Sequence, residues 1–102
     1  MNIQQVKVKN MTSSGGNSVP NQFTIRIKSK DKNQVGYDCV YFQSYGSIIA
    51  IKDYKGNITL DRDSWDYSVT TGKYRNQFLN ETKKETEAKI KNGTYLLTDL
   101  NK

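Results

Sequence analysis

The sequence predicts one small α+β domain: a mainly antiparallel β-sheet, one or two helices in the C-terminal half, and a closing C-terminal strand. Three observations predict it. Apolar and polar residues alternate with period two through the N-terminal half, whereas helix-start chemistry and three-to-four-residue spacing begin only around Thr70. At 102 residues with 34% hydrophobic content, there is apolar surface for one thin core but not for two. No internal repeat or linker divides the chain, so residues 1–102 are expected to form a single domain in which 10–19 is a flexible loop.

In order, Ile3 to Lys9 sets Val6 and Val8 against Lys7 and Lys9, the pattern of a short edge strand. Residues 10–19, NMTSSGGNSV, are polar with a glycine pair and read as the loop. From Asn21, Phe23, Ile25 and Ile27 alternate with Thr24, Arg26, Lys28 and Lys30. That predicts a half-buried strand with a basic outer face. Lys30 to Gln34 is a turn by content, and Gly36 to Ser44, GYDCVYFQS, is a more central strand dense in β-branched and aromatic residues. One of its faces carries Tyr37, Cys39 and Tyr41, the other Val40 and Phe42. Ser47 to Lys52 is a buried strand, Asp53 to Asn57 a hairpin turn, and Ile58 to Leu60 the return.

Beyond Leu60 the period changes. Thr70 or Thr71 can cap a helix that places Tyr74, Phe78 and Leu79 on one stripe, with Trp65 and Tyr67 as core plugs before it. Thr82, three residues before Glu85, forms a possible capping box, so either a second helix begins there or the first runs through. Asn92-Gly93 is a C-terminal stop, and Thr94 to Leu100 is the closing strand.

The chemistry is sparse. The chain has no His, which removes the commonest general base and a principal zinc ligand, and its one Cys, Cys39, can form neither an intrachain disulfide nor a thiolate cluster. Asp61, Asp63 and Asp66 are the one carboxylate cluster, with Asp53 a possible neighbour across the hairpin; their spacing lacks the Gly and distal Glu of a calcium loop. Gly72-Lys73 after two Thr presents a helix N-terminus to an anion but lacks the length and the following Ser/Thr of a P-loop. The expectation is a non-catalytic protein with no metal and no cofactor.

Charge points to a partner instead. Sixteen Lys and Arg against ten Asp and Glu give +6, distributed as +5 over residues 1–52, −2 over 53–66 and +3 over 67–102. Such a balance suits an anionic surface, nucleic acid or protein. Arg26, Lys28 and Lys30 would project about 7 Å apart along a strand, close to phosphate spacing. Tyr37, Tyr41 and Tyr45 could supply stacking faces, and Lys73 and Arg75 a second basic cluster. Those eight residues are the predicted binding surface. The competing explanation is that strand lysines guard an edge and tyrosines fill a small core.

The run YFQSYGSIIAIKD, followed by the W-x-Y-S-x-T-T-x-K-Y-x-x-x-F-L centre and the K-E-T-x-x-x-I-x-x-G-x-Y end, resembles a group of small proteins from phages and mobile elements of low-GC bacteria. The resemblance covers about residues 41–101 through Tyr45, Trp65, Tyr67, Thr70, Thr71, Lys73, Tyr74, Phe78, Leu79, Ile90, Gly93 and Tyr95. It implies origin and architecture and carries over no catalytic residue. Phage accessory proteins of this size commonly act by binding. The resemblance therefore implies an inhibitor, anti-CRISPR-like, that docks on a host defence or nucleic-acid-handling complex; the alternative is a basic module that binds DNA or RNA in phage replication or regulation. With no apolar N-terminal run and a single thiol, the expected location is the cytoplasm of the bacterial host, away from membrane.

Overall fold

The computed structural model describes residues 3–29 and 38–102. It is an α+β fold: a six-stranded sheet in the order β1-β2-β3-β4-β5-β6, with two helices inserted before the last strand. β1 (Ile3–Thr12), β2 (Ser18–Ser29), β3 (Cys39–Ser44), β4 (Ser47–Asp53) and β5 (Ile58–Asp61) form an antiparallel meander. β6 (Leu96–Thr98) returns parallel to β5, because α1 (Val69–Leu79) and α2 (Lys83–Lys91) carry the chain back to the sheet's starting end.

Half of the expected loop at 10–19 is strand. β1 and β2 extend into it and leave a tight turn in which Ser13 N–H donates to Asn17 O at 2.8 Å and Gly16, at φ 82°, donates to Ser13 O. Between this turn and the body of the hairpin the register shifts, from Thr12 opposite Ser18 to Asn10 opposite Phe23. Asn21 takes φ 65° within that irregularity, a left-handed conformation that Asn tolerates. A second irregularity, between Phe42 and Gln43, accommodates Ile49 as an extra residue in β4, buried beside Ala50.

α1 is capped by Ser68, whose Oγ accepts from Thr71 N–H at 3.1 Å, rather than by Thr70 or Thr71. Thr71 is instead fully buried, its hydroxyl 2.8 Å from Ser44 Oγ on β3, so this polar pair pins the helix start to the sheet. α1 ends at Asn80, a left-handed C-cap at φ 56°, and α2 opens as a separate helix on the complete Thr82/Glu85 capping box. Its stop is Gly93 at φ 83°.

The core lies between the helices and one face of β3–β5: Phe42, Ile49, Ala50, Ile58 and Leu60 beneath Tyr74 and Tyr95, with Met11 at its side. Phe78, Leu79, Trp65 and Ile90 pack against it, and the Phe42 and Phe78 rings stack at 5.7 Å. Full burial of a side chain such as Phe42 or Leu60 contributes about 1.5–3 kcal/mol. Tyr67, expected as a core plug, is exposed; Trp65 alone takes that role.

Register sorts the paired strand residues onto two faces, since directly opposed residues share a face. The helix face holds Thr24, Phe42, Ala50 and Leu60 in one row across the strands. The opposite face holds the row Val8, Ile25, Tyr41, Ile51, Thr59 and Leu96. Phe23, Ile25 and Ile27 thus point away from the helices, not into the core beneath them, and Arg26 and Lys28 lie on the helix side.

Candidate functional site

On the helix face, the core row is bordered by cations. Lys7 of β1 stands directly opposite Arg26 of β2, Arg26 opposite Val40, and Val40 opposite Lys52. Lys9, opposite Thr24, and Lys28, opposite Gln5, extend the set. The helices cover β3–β5, so the β1–β2 half of this face projects past them. Between the two parts runs a shallow cavity of about 260 Å³ lined by Met11, Thr24, Arg26, Val40, Lys52, Gln77 and Phe78. Gln77 fixes the helix edge of this cavity by donating to Thr12 O at 3.0 Å, and Lys52 Nζ sits over the Phe78 ring at 5.7 Å.

Five cations converging on one sheet face create a field suited to an extended anionic surface. This is the candidate site: Lys7, Lys9, Arg26, Lys28 and Lys52. The alternation of Lys7 and Lys9 is legible in the sequence, but their sharing a face with Arg26 is not, because the pairing depends on the hairpin irregularity. In the sequence Lys52 closes a buried strand and nothing along that strand places it beside Arg26.

The other predicted residues scatter. Tyr41 lies on the opposite face, beside Cys39, so no ring stacks above the Arg26 and Lys28 row from there. Tyr45, half exposed at φ 54°, occupies the β3–β4 turn, its N–H donating to Asn21 O at 2.7 Å. Lys73 is an exposed α1 residue whose ammonium lies over the Tyr74 ring. Lys30 and Tyr37 fall outside the described residues.

Arg75 is not a surface cation at all. It is 1% exposed, and its guanidinium donates to Trp65 O at 2.8 Å, Asp66 Oδ1 at 2.9 Å and Asn76 Oδ1 at 2.9 Å, while lying 5.1 Å from the Trp65 ring. Its planar fork joins the β5–α1 connection to the helix. Gly72 fits the same spot closely: a Cβ there would meet Asp66 Oδ1 at 3.5 Å and the guanidinium at 3.7 Å.

The three aspartates of the acidic cluster separate to different partners. Asp61, 2% exposed, accepts from Ser64 N–H at 2.9 Å and Leu100 N–H at 2.8 Å; Asp66 binds Arg75 and Lys83; exposed Asp63 pairs with Arg62. Burial pushes the Asp61 carboxyl up, but the donors from Ser64, Leu100 and Asn101 outweigh it and hold it below the usual Asp range. At Asp66 burial is likewise outweighed, by Lys83 and Arg75. These are structural roles, and among the described residues no His, Cys, Asp or Glu trio converges as a metal site would require. Burial, with Asp38 and Asp53 nearby, raises the Cys39 thiol despite its hydrogen bond to Tyr41, the reverse of an activated nucleophile.

Among the described residues no helix is long and apolar enough to cross a membrane. Residues 6–93 match a family described as "Family of unknown function (DUF8033)", and the chain belongs to that family. The match starts within β1 and so takes in the cationic hairpin. No curated protein and no solved structure matches the chain.

Proposed function

We propose that this chain is a non-catalytic binding protein of phage or mobile-element origin that works as an inhibitor, docking through the cationic face of β1 and β2 on an acidic surface of a host defence complex, in the anti-CRISPR manner, or of a nucleic-acid-handling complex in the bacterial cytoplasm. The observation that carries this reading is the direct opposition of Lys7 and Arg26, with Lys9, Lys28 and Lys52 on the same face. Cations gathered on one sheet face steer an acidic surface toward it. Separation of Tyr41 from this row favours a protein partner over stacked single-stranded nucleic acid.

The test is retention of a partner from lysate of a low-GC bacterial host by the wild type and by the Lys7→Glu/Lys9→Glu pair, at two salt concentrations. Loss of the same partner with the charge-reversed pair and at high salt supports the reading, because steering by exposed charge is screened within about 8–10 Å. Undiminished retention by the folded variant refutes it.

The about 7 Å repeat along Arg26 and Lys28 favours, as a second reading, contact with the phosphates of a duplex. Electrophoretic titration with DNA and RNA decides it: binding with a steep fall in affinity as salt rises is required, and its absence at low salt sinks that reading.

A further inference from the structure

We propose that two copies of this chain pack face to face through the sheet surface opposite the helices, forming a symmetric dimer whose cationic hairpin faces point outward.

Among the described residues no element covers this surface, and it is largely apolar, with Asn10 and Gln43 the polar residues in the Phe23 row. Its central row crosses all six strands, Val8, Ile25, Tyr41, Ile51, Thr59 and Leu96, and is flanked by Val6 and Ile27 on one side and Phe23 and Ile48 on the other. Val6 is 52% exposed, Val8 62% and Leu96 64%. An antiparallel sheet with one face packed and one solvated normally turns its polar residues to water. In β1 and β2 the assignment is reversed: the cations take the helix side and the valines and isoleucines the bare side. A largely apolar face, exposed at both edges and partly exposed between them, marks an interaction site.

Charge selects the occupant. Every Lys and Arg of β1, β2 and β4 with an assigned register lies on the other face, and among the described strand pairs this face carries two charged groups: Asp53 at its rim, and Asp61, which is 2% exposed and occupied by the Ser64 and Leu100 N–H groups. A partner recognised by charge has nothing to read here. A second copy does fit: the +6 chain can meet itself across this neutral face without bringing its cations together. The size is also adequate. Taken over the six strand lengths, the face projects to about 650 Å² at about 3.3 Å per residue and about 4.8 Å per strand. A standard interface buries roughly 800 Å² of accessible surface per partner, and a pleated, side-chain-covered face exposes more than its projection. Two such faces would pack about 10 Å apart, as in a β-sandwich.

Sedimentation equilibrium of the full chain from about 1 to about 300 µM is the test, since a dimer must follow mass action. The wild type is expected to move from 11.7 kDa toward twice that mass. Val8→Lys, at a position already exposed in the single chain, should weaken association by about a hundredfold or more with an unchanged circular dichroism spectrum, as expected when an unpaired ammonium faces an apolar interface. Lys7→Glu, on the other face, should leave the mass unchanged. Cys39 belongs to the bare face, so its reaction with a thiol reagent should quicken on dilution. A wild type that stays at 11.7 kDa throughout overturns the proposal. So does a dimer that Val8→Lys leaves intact, which would point to edge pairing through β1. None of these readouts depends on the anionic partner proposed above.

Discussion

Replacing Arg75 with Ala removes, in one step, the donors to Trp65 O, Asp66 Oδ1 and Asn76 Oδ1 and the cation beside the Trp65 ring. Breaking a buried ion pair from one side costs about 3–5 kcal/mol. Asp66 keeps Lys83 at 2.7 Å and is itself partly solvated, so the lower end applies, about 3 kcal/mol. At about 4–8 °C per kcal/mol for a domain of this size, the melting temperature should fall by about 12–24 °C. Trp65 is the chain's single Trp and lies against the guanidinium, so its fluorescence during urea unfolding reports both the local change and the global midpoint. Arg75→Lys should lose most of the same stability, because one ammonium cannot reach all three acceptors. Lys83→Ala, at a 53% exposed position, should cost less than about 1 kcal/mol. If Arg75→Ala and Lys83→Ala prove equally mild, the buried fork is not what joins the β5–α1 connection to the helix.

Urea midpoints measured across pH should stay level between about pH 5 and 8, where a chain without His has little to titrate, and fall below about pH 4. The sign follows from Asp61, Asp66 and Glu81, all held below their unfolded values: their stabilisation is full above about 3.9 for Asp and about 4.3 for Glu and is lost as pH drops through the lower folded values. Asp61→Asn should flatten the acid limb; a midpoint that holds steady into acid would contradict the assigned bonds. Thr82→Ala dissolves the capping box of α2 and should cost about 1 kcal/mol by thermal unfolding, with no change in partner retention. Gly93→Ala forces a Cβ into φ 83° and should cost about 1 kcal/mol, although open space surrounds it; an unchanged melting temperature would show that the turn relaxes.

Local structure was legible in the sequence wherever one residue type carries the signal. The strand at Ser47, the Asp53–Asn57 turn, the capping box at Thr82 and the stop at Gly93 all stand where their chemistry puts them. The α1 cap was misplaced by two or three residues because Ser68, Thr70 and Thr71 can all accept a backbone N–H, and only the sheet beneath decides that Thr71 is taken by Ser44. Arg75 looked like a surface cation because nothing in its own neighbourhood reveals that Trp65 and Asp66 fold back over it. Tertiary contact decides such residues, and alternation along one strand cannot.

The faces of the hairpin show where alternation ran out. Carried straight down from Thr12 opposite Ser18, the pairing would put Lys7 opposite Phe23 and mix lysines with apolar residues on both faces. The irregularity between Asn10 and Thr12 shifts the register by an odd number, and that rephases the strands so that Val8 meets Ile25 and Lys7 meets Arg26. The shift therefore creates both candidate surfaces at once, a cationic one beside the helices and an apolar one behind them. Burial beneath the helices does not explain the sorting, since the apolar set lies on the uncovered side. The sorting follows from the register and not from the core, and it leaves one neutral and one charged face on the same hairpin.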